Sequence, residues 1–240
     1  MVAVIVGASG TIGEACVLHF RDSGIPVIAL DLTQPSIEGV RAIAMDVTNR
    51  DNVREVMTSI EESEPISALV YAAGLNTTGP LDGLEWSDYE RVMAVNLQGA
   101  FHVAAEIEVA MKRTPRMLGA VFISSTAGLR GEPGGSVYVA SKFGLRGFVE
   151  SFAGEIAPFG GRANTVCPGN VDSVMLKKLA EKFAERQGTT VEAVMGQFAS
   201  SSAFDRLITP VEVAETCVWL CSERASGISG QTIVVDGAPV

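Results

Sequence analysis

The sequence predicts a doubly wound α/β fold, in which about seven parallel strands form one sheet flanked by helices on both faces. Short β-branched segments alternate with longer amphipathic segments along the chain, and this alternation favours a parallel sheet with helical crossovers. A glycine-rich loop joins the first strand to the first helix. Of the 240 residues, 47% are hydrophobic, which suits a sheet covered on both faces. We therefore expect a single domain over residues 1–240.

The strands are predicted from short runs of valine, isoleucine, leucine and alanine that are bounded by turn residues. These runs are too short to form helices of ordinary length, and several are apolar throughout, as buried parallel strands are. The predicted strands are Val2–Val6, Val27–Leu30, Ala42–Met45, Ala68–Tyr71, Ala120–Ile123, Ala163–Cys167 and Thr232–Val235.

The helices are predicted from apolar residues at helical spacing between these strands. Two helix starts carry capping chemistry: Ser87–Glu90 fits a capping box, and Thr209–Glu212 fits one with Pro210 at the first helical position. Residues 170–208 interrupt the alternation with helical segments, and we interpret them as a substrate lid. The predicted helices begin near Ile12, Asn52, Asp88, Val137 and Pro210, with further helical patterns over residues 174–186 and 191–199.

The residue balance argues against several function classes. The chain has 18 basic and 28 acidic residues, a net charge of −10, and no basic run that could neutralise nucleic-acid phosphates. Four cysteines without a CxxC pair and two histidines provide few zinc ligands and are typical of a reducing compartment. The sequence shows no signal-peptide pattern and no apolar run of membrane-spanning length. We expect a cytoplasmic protein that has no metal site and that binds neither nucleic acid nor membranes.

The loop Gly7–Gly13 follows the first predicted strand and contains three glycines. Glycines allow a tight turn and let a pyrophosphate approach the backbone, while the next helix offers free N–H groups at its N-terminus. A plain βα turn rarely needs three glycines in this space. We predict a dinucleotide-binding loop formed by Gly7, Ser9, Gly10, Thr11, Ile12 and Gly13.

Asp31 ends the second predicted strand, eighteen residues after Gly13. This is close to the position of an acidic residue that hydrogen-bonds the adenosine ribose. A carboxylate there repels a 2′-phosphate, and the glycine loop has no Lys or Arg, so we predict NAD rather than NADP. The alternative is that Asp31 caps the following turn. Asp46 and Val47 are predicted to flank the adenine, although an Asp after a strand is also an ordinary turn residue.

Tyr138 and Lys142 lie four residues apart in a predicted helix and therefore share a face. A free tyrosine has a pKa of about 10, but a nearby ammonium and an oxidised nicotinamide both favour the phenolate. Such a tyrosine can take a proton from an alcohol or return one to an alkoxide. The alternative is an interfacial tyrosine beside a solvated lysine.

Three further features strengthen the interpretation of this pair. Ser125 lies just beyond the predicted strand that ends at Ile123, where ligands bind in open α/β sheets, and its hydroxyl is placed to hold a substrate oxygen. Asn96 lies among apolar residues in a predicted helix, so its amide needs a partner. Residues 168–173 follow another strand and could close over a nicotinamide.

Together these features resemble the short-chain dehydrogenase/reductase family, in its compact single-domain branch, over the whole chain. The resemblance implies a Rossmann-like fold with about seven strands. It rests on the glycine loop, Asp31, the Tyr138/Lys142 pair and these segments: Asp46–Val47, Ala73–Gly74, Val95–Asn96, Ile123–Ser125, Pro168–Gly169, Gly230–Gln231 and Val235–Gly237.

The resemblance implies a catalytic tetrad. Asn96 would support a water relay, and Ser125 would orient the substrate oxygen. Tyr138 would act as the acid/base. Lys142 would bind the nicotinamide ribose and lower the tyrosine pKa.

The resemblance also implies further cofactor contacts and an assembly. The backbone near Val171 and the hydroxyl of Ser173 would hold the carboxamide. A homotetramer, or a homodimer, would use the helices around residues 90–112 and 137–157 at one interface and the C-terminal strand at another. The remaining implied cofactor-binding residues are Ala73, Gly74, Pro168 and Gly169.

Two segments depart from the family's pattern. Thr11 stands where the family loop usually has glycine. Tyr71 and Ala72 replace two asparagines, which removes the usual polar bracing beside the adenosine ribose, so we expect a lower cofactor affinity. Neither departure touches the tetrad.

We predict an NAD-dependent oxidoreductase that interconverts a small secondary alcohol, such as a hydroxy acid or a polyol, and its ketone, mainly in the direction of oxidation. Lys177, Lys178 and Arg186 in the lid could attract an anionic substrate, although a charged helix face is the commoner explanation. The predicted apolar pocket residues, each of which could instead be core, are Leu129, Val171, Met175, Leu176 and Phe198.

Three alternative functions stay open. One is an NADP-dependent carbonyl reductase. Another is enoyl reduction, for which the resemblance calls for a longer Tyr–Lys spacing than four. The third is a non-catalytic, cofactor-binding regulatory protein of the same fold, because fold alone does not determine function.

Overall fold

Seven parallel strands form one sheet at the centre of the structure, a computed structural model that describes residues 2–238. The strand order is β3-β2-β1-β4-β5-β6-β7, with helices on both faces, so the predicted doubly wound Rossmann-like class is confirmed. The strands are β1 (Val2–Val6), β2 (Val27–Asp31), β3 (Arg41–Ala44), β4 (Ile66–Tyr71), β5 (Leu118–Ile123), β6 (Gly161–Pro168) and β7 (Thr232–Val235).

Eight α-helices connect or flank these strands within the described residues, and one of the two predicted capping boxes forms. Thr209 accepts a hydrogen bond from Glu212 N–H, and the Glu212 carboxylate accepts one from Thr209 N–H at 2.8 Å. The box predicted at Ser87–Glu90 is wrong, because the helix begins earlier and Ser87 lies inside its first turn. The helices are α1 (Thr11–Asp22), α2 (Arg50–Ser63), α3 (Trp86–Met93), α4 (Gly99–Arg113), α5 (Ser136–Ile156), α6 (Val174–Gln187), α7 (Val191–Ser200) and α8 (Pro210–Cys221).

The two faces of the sheet carry separate apolar cores. Because side chains alternate along a strand, Val4 and Val6 pack towards α2, α4 and α5, while Ala3 and Ile5 pack towards α1 and α8. The strand order reverses between β1 and β4, so the crossovers leave a crevice at the carboxyl ends of these strands. None of the helices described between residues 2 and 238 combines the length and the apolar character needed to cross a bilayer.

The segment between α3 and α4 is a π-helical turn over Ala94–Gln98. Single π-turns interrupt the regular backbone hydrogen bonds of a helix and occur frequently at functional sites. Here the turn contains Asn96.

Residues 170–208 form a helical pair whose two ends are joined to each other. Val171 pairs with Ile208, and the Asn170 amide donates to the carbonyl of Phe198 at 3.1 Å. Inside the pair, the rings of Phe183 and Phe198 lie 5.9 Å apart and join a small apolar cluster. The pair therefore has its own packing beside the crevice.

Candidate active site

A cleft opens above the carboxyl ends of β5 and β6, beside the loop between β1 and α1. This is the edge of the sheet at which open α/β folds bind ligands. Its lining includes Ile12, Asn76, Thr78, Ser125, Tyr138, Pro168, Gly169, Val171, Ser173, Met175 and Leu176.

Glycine occurs at the three positions of the first loop for different structural reasons. Gly7 has a positive φ of 82°, and a Cβ there would overlap the backbone of Ala73. A Cβ on Gly13 would overlap the carbonyl oxygen of Gly7. A Cβ on Gly10 would meet only that same oxygen, at 3.3 Å, so Gly10 borders open space. The first and third glycines are therefore needed for packing, and the middle one leaves room for a ligand.

The N-terminus of α1 is suited to an anion. Gly10 is its N-cap and provides no side-chain hydrogen bond. The backbone N–H groups of Thr11, Ile12 and Gly13 find no acceptor among residues 2–238. Free N–H groups and the positive end of the helix dipole together favour a phosphate. The loop therefore fits the pyrophosphate of a dinucleotide.

Asp31 lies directly against this loop. Its Oδ2 accepts a hydrogen bond from Ser9 N–H at 2.8 Å, and its Oδ1 accepts one from Leu32 N–H at 2.7 Å. The side chain therefore caps its own turn with one oxygen and contacts the glycine loop with the other. This position keeps a negative charge at the place where an adenosine ribose would approach the loop.

Asp46 and Val47 are engaged with their own surroundings. Asp46 Oδ1 accepts from the backbone N–H of Thr48 at 2.9 Å and from its hydroxyl at 2.7 Å, which is the bonding of a turn residue. Val47 is buried, and its carbonyl oxygen lies 2.9 Å from His102 Nδ1. Their contact with an adenine stays a prediction.

Lys142 is buried close to Tyr138. Only 4% of its surface is exposed, and its Nζ donates to the carbonyl oxygen of Ile123 at 2.9 Å. The same Nζ lies 5.7 Å from the centre of the Tyr138 ring. A Cβ on Gly74 would come within 3.4 Å of this nitrogen, so Gly74 leaves room beside the lysine.

Asn96 is fully buried, and all of its amide hydrogen bonds join the floor of the cleft to neighbouring segments. Its Oδ1 accepts from Leu75 N–H at 2.8 Å, while its Nδ2 donates to Leu75 O and to Ser141 Oγ, each at 2.9 Å. Ser141 in turn donates to the carbonyl of Tyr138 at 2.7 Å. The amide therefore has the partners that the sequence requires, and it braces α5 below the tyrosine. The water relay stays a prediction.

Burial shifts the pKa values of both titratable groups of the pair. It raises the pKa of Tyr138 to about 12, and the neighbouring Ser125 hydroxyl opposes this rise. Burial lowers the pKa of Lys142 to about 8. The lowering of the tyrosine pKa by Lys142 stays a prediction.

Tyr71 is a structural part of the site that the sequence pattern did not reveal. Its side chain is fully buried, and its hydroxyl donates to the carbonyl of Val95 in the π-turn at 2.6 Å. Burial raises the pKa of Tyr71 far above its usual value, so the hydroxyl remains a donor. A Cβ on Gly99 would lie 2.5 Å from this hydroxyl oxygen. Tyr71 therefore holds the turn that carries Asn96, and only glycine fits at position 99.

The residues after β6 lie along the other wall of the cleft. Ser173 is the N-cap of α6, and its hydroxyl accepts from Leu176 N–H at 3.1 Å. Val171 is buried by its pairing with Ile208. A Cβ on Gly169 would lie 2.8 Å from the Cβ of Asp236, so glycine allows this wall to pack on the C-terminal segment.

Two of the predicted pocket residues do not line this cleft. Leu129 is exposed at the end of the short turn Thr126–Gly128. Phe198 packs on Phe183 in the α6–α7 cluster and borders a small adjoining pocket instead. Val171, Met175 and Leu176 line the cleft as expected.

Two polar residues of the site, on the loop after β4, were not predicted from the sequence. Asn76 and Thr78 line the cleft, and Asn76 Oδ1 and Thr78 Oγ1 are buried without a hydrogen-bond partner among the described residues. Arg186 donates to the Thr78 carbonyl at 2.7 Å, which ties α6 to this loop. No pattern in the sequence distinguishes these two side chains from ordinary loop residues.

The chain is similar to known reductases over nearly its whole length. A family model described as enoyl-(acyl carrier protein) reductase matches residues 7–237. The 3-oxoacyl-[acyl-carrier-protein] reductase FabG of Thermotoga maritima is 32% identical over 251 residues, which cover 100% of this chain and 97% of the relative.

Two solved structures show the same similarity in three dimensions. The aldohexose dehydrogenase of Thermoplasma acidophilum has a TM-score of 0.91 at 31% identity, covering 100% of this chain and 95% of its own. An actinorhodin polyketide ketoreductase, solved with NADPH, has a TM-score of 0.90 at 25% identity, covering 98% of this chain and 95% of its own.

Proposed function

The chain belongs to the short-chain dehydrogenase/reductase family of oxidoreductases, and from this premise we propose that it interconverts a small secondary alcohol and its ketone with NAD as the cofactor. One observation carries the proposal. A buried lysine, a half-buried tyrosine and a serine that lines the same cleft meet at the carboxyl ends of β5 and β6, beside an uncapped helix N-terminus. These residues are Lys142, Tyr138 and Ser125.

The chain has residues suited to each part of a nicotinamide dinucleotide. The free N–H groups at the start of α1 would hold the pyrophosphate, and Asp31 would accept from the adenosine ribose. Lys142 would bind the nicotinamide ribose, and Val171 with Ser173 would hold the carboxamide. A nicotinamide bound in this way supplies or accepts the hydride. The Asp31 carboxylate beside Ser9 supports NAD, because it would repel a 2′-phosphate.

The proton chemistry belongs to Tyr138. In reduction the phenol gives its proton to the oxygen of the former carbonyl, and in oxidation the phenolate takes the proton of the alcohol hydroxyl as the carbon loses hydride. A pKa of about 12 keeps the phenol protonated at neutral pH, which is the form that reduction requires. Oxidation requires the phenolate, which positive charge from Lys142 and an oxidised nicotinamide would favour. Ser125 would donate a hydrogen bond to the substrate oxygen.

A second candidate is an NADP-dependent carbonyl reductase. The similarity to a 3-oxoacyl-[acyl-carrier-protein] reductase and to a ketoreductase solved with NADPH favours it. The four-residue spacing of Tyr138 and Lys142 favours carbonyl over enoyl reduction, despite the description of the matching family model. The ratio of kcat/KM for NADH and NADPH with one ketone distinguishes the NAD-dependent enzyme from the NADP-dependent carbonyl reductase. Turnover of an enoyl thioester tests enoyl reduction.

The direct test is a panel of secondary alcohols and ketones followed by NAD(P)H fluorescence. Hydroxy acids, polyols and their oxo forms belong in the panel. Turnover of a ketone–alcohol pair supports the proposal. Cofactor binding without turnover on any member would instead support a non-catalytic, cofactor-binding regulatory protein.

We also propose that the chain forms a homotetramer or a homodimer in the cytoplasm. Phe101 on α4 and Phe143 on α5 are 49% and 40% exposed, and large exposed apolar side chains on two helices are suited to a subunit interface. The four free cysteines suit a reducing compartment. Light scattering after gel filtration tests the assembly, and a monomer would contradict it.

A further inference from the structure

A second groove continues from the cleft between α6 and the loop after β4. Four residues line both spaces, so the two are connected: Asn76, Thr78, Met175 and Leu179. The groove is completed by Leu75, Val174, Lys178 and Lys182. A molecule that reacts beside Tyr138 can therefore extend along this groove to the surface.

The walls of the groove are mainly apolar. Val174 is 61% exposed and Met175 is 42% exposed on the first turn of α6, although both are large apolar side chains. Leu75 faces them from the loop after β4. Exposed apolar side chains that line one groove are typical of a binding surface for an apolar group.

The outer end of the groove carries two positive charges. Lys178 and Lys182 lie four residues apart on α6 and therefore share a face. Their ammonium groups form neither ion pairs nor hydrogen bonds with residues 2–238, whereas the neighbouring Lys177 pairs with Asp172 at 3.3 Å. In a chain with a net charge of −10, two unpaired cations at one groove indicate an anionic ligand.

The opposite side of the cleft offers a weaker cationic site. The small pocket there contains Arg130 and Arg206, but also the carboxylates of Glu132 and Asp236. Arg206 is held by both oxygens of Glu212, at 2.7 and 2.9 Å. Its charge is therefore already balanced, so the charges favour the α6 side.

Two polar atoms that have no hydrogen-bond partner among the described residues lie where the cleft and the groove join. Asn76 Oδ1 can accept a hydrogen bond, and Thr78 Oγ1 can donate or accept one. Buried polar atoms almost always have partners, so these two are suited to a polar group of a ligand that passes between them.

We propose that the substrate is a ketone or secondary alcohol joined by an apolar segment to an anionic group, and that Lys178 and Lys182 bind this group. The inference rests on the proposed function, which supplies the reacting end of the molecule. A carboxylate or a phosphate meets the requirement equally. The anion can belong to a free acid or to the nucleotide part of a thioester.

The test measures binding directly, by calorimetry in the presence of NAD⁺, because the oxidised cofactor cannot reduce the ketone probes. The probes are 7-oxooctanoate and its methyl ester, which share the ketone and the chain but differ in charge. We expect wild type to bind the acid more tightly than the ester. In Lys178→Gln/Lys182→Gln this preference should fall about twofold to 25-fold, since one exposed ion pair contributes about 1.4-fold to fivefold. Higher ionic strength should weaken the binding of the acid to wild type.

The matched control is Lys177→Gln, which removes an equal charge from the same helix turn but from a lysine that is paired with Asp172. It should keep the wild-type preference. An equal loss of preference in this control, or no loss in the double variant, would overturn the proposal. Loss of preference in Arg130→Gln alone would place the anion on the opposite side and would also overturn it.

Two further measurements complete the test. One distinguishes a free acid from a nucleotide as the source of the anion, and the other distinguishes failure of this inference from failure of the proposed function. A 3-oxoacyl coenzyme A and its neutral N-acetylcysteamine thioester share the acyl group, so a lysine-dependent preference confined to this pair assigns the anion to the nucleotide. Binding is read without turnover. Lysine-dependent binding without turnover of any probe would contradict the proposed function and keep the anion site.

Discussion

The floor of the cleft and the wall of the groove differ in how completely their polar groups are bonded within the chain. The floor consists of Asn96, Ser125, Tyr138 and Lys142. The groove wall consists of Asn76, Thr78, Lys178 and Lys182. Asn96 and Lys142 on the floor are buried and bonded to the backbone, whereas two polar atoms and two ammonium groups of the groove wall have no partner among residues 2–238.

This difference corresponds to two different tasks. Proton transfer needs fixed geometry, and a group that is already bonded to the chain holds its position before substrate arrives. Substrate recognition needs groups that are free to bond with a ligand. Changes on the floor should therefore alter kcat and stability, while changes on the groove wall should alter KM and substrate preference.

The largest expected effect is a change in the pH dependence of stability when Lys142, on the floor of the cleft, is replaced. Burial lowers its pKa from 10.5 to about 8, so between these pH values the unfolded chain binds more protons than the folded chain. The lysine therefore makes stability rise with pH in this window, by about 3 kcal/mol if the full shift applies. Lys142→Met lacks this contribution.

The measurement is the difference in unfolding free energy between wild type and Lys142→Met at pH 8 and at pH 10.5. The difference is needed because buried thiols with raised pKa values, such as Cys221, lower stability as pH rises above 9 in both proteins. Relative to the variant, wild type should gain stability across the window. A difference that does not change with pH would contradict the burial of an ionisable lysine.

The next effect concerns Tyr71, which supports the floor from below. Tyr71→Phe removes the donor to the Val95 carbonyl and leaves a buried acceptor unsatisfied, which costs about 1–3 kcal/mol. If the tyrosine positions Asn96 and the tetrad, kcat should fall while KM changes little.

Tyr89→Phe is the matched control, because Tyr89 is 37% exposed and stacks on Trp86 away from the cleft. It should keep wild-type kcat and stability. A loss of stability in Tyr71→Phe with unchanged kcat would show that Tyr71 is structural only. Unchanged stability would contradict the hydrogen bond itself.

The smallest of these effects concerns the cofactor. Asp31→Ser removes the carboxylate that contacts Ser9 N–H, so the preference for NAD over NADP should narrow about tenfold, the size of one hydrogen bond to a charged group. The ratio of kcat/KM for the two cofactors measures it. An unchanged ratio would show that Asp31 does not face the ribose.

The sheet was predictable because each strand is a local signal. Val2–Val6 and Thr232–Val235 have the predicted bounds, since β-branched residues between turns leave little choice. Thr209 was also predictable, because its partner Glu212 lies three residues away. The box at Ser87 failed because several residues near a helix start can act as caps, and tertiary packing decides where the first turn forms.

The parts of the site that were missed depend on contacts between distant segments. Tyr71 meets Val95 only because a π-turn directs that carbonyl towards β4, and the sequence shows no sign of the turn. Asn76 and Thr78 differ from other loop residues only in lacking partners, which requires the folded chain. Phe198 was misplaced because a pocket and a small core use the same apolar residues.

The most direct test of the central claim is the turnover of Tyr138→Phe. The ring keeps its packing and only the ionisable oxygen is lost, so NAD binding should stay close to that of wild type. Turnover of the ketone–alcohol pair found in the panel should fall at least about 10²-fold to 10⁴-fold, the usual contribution of a positioned acid or base. Retention of most activity, with normal cofactor binding, would contradict the assignment of proton transfer to this phenol.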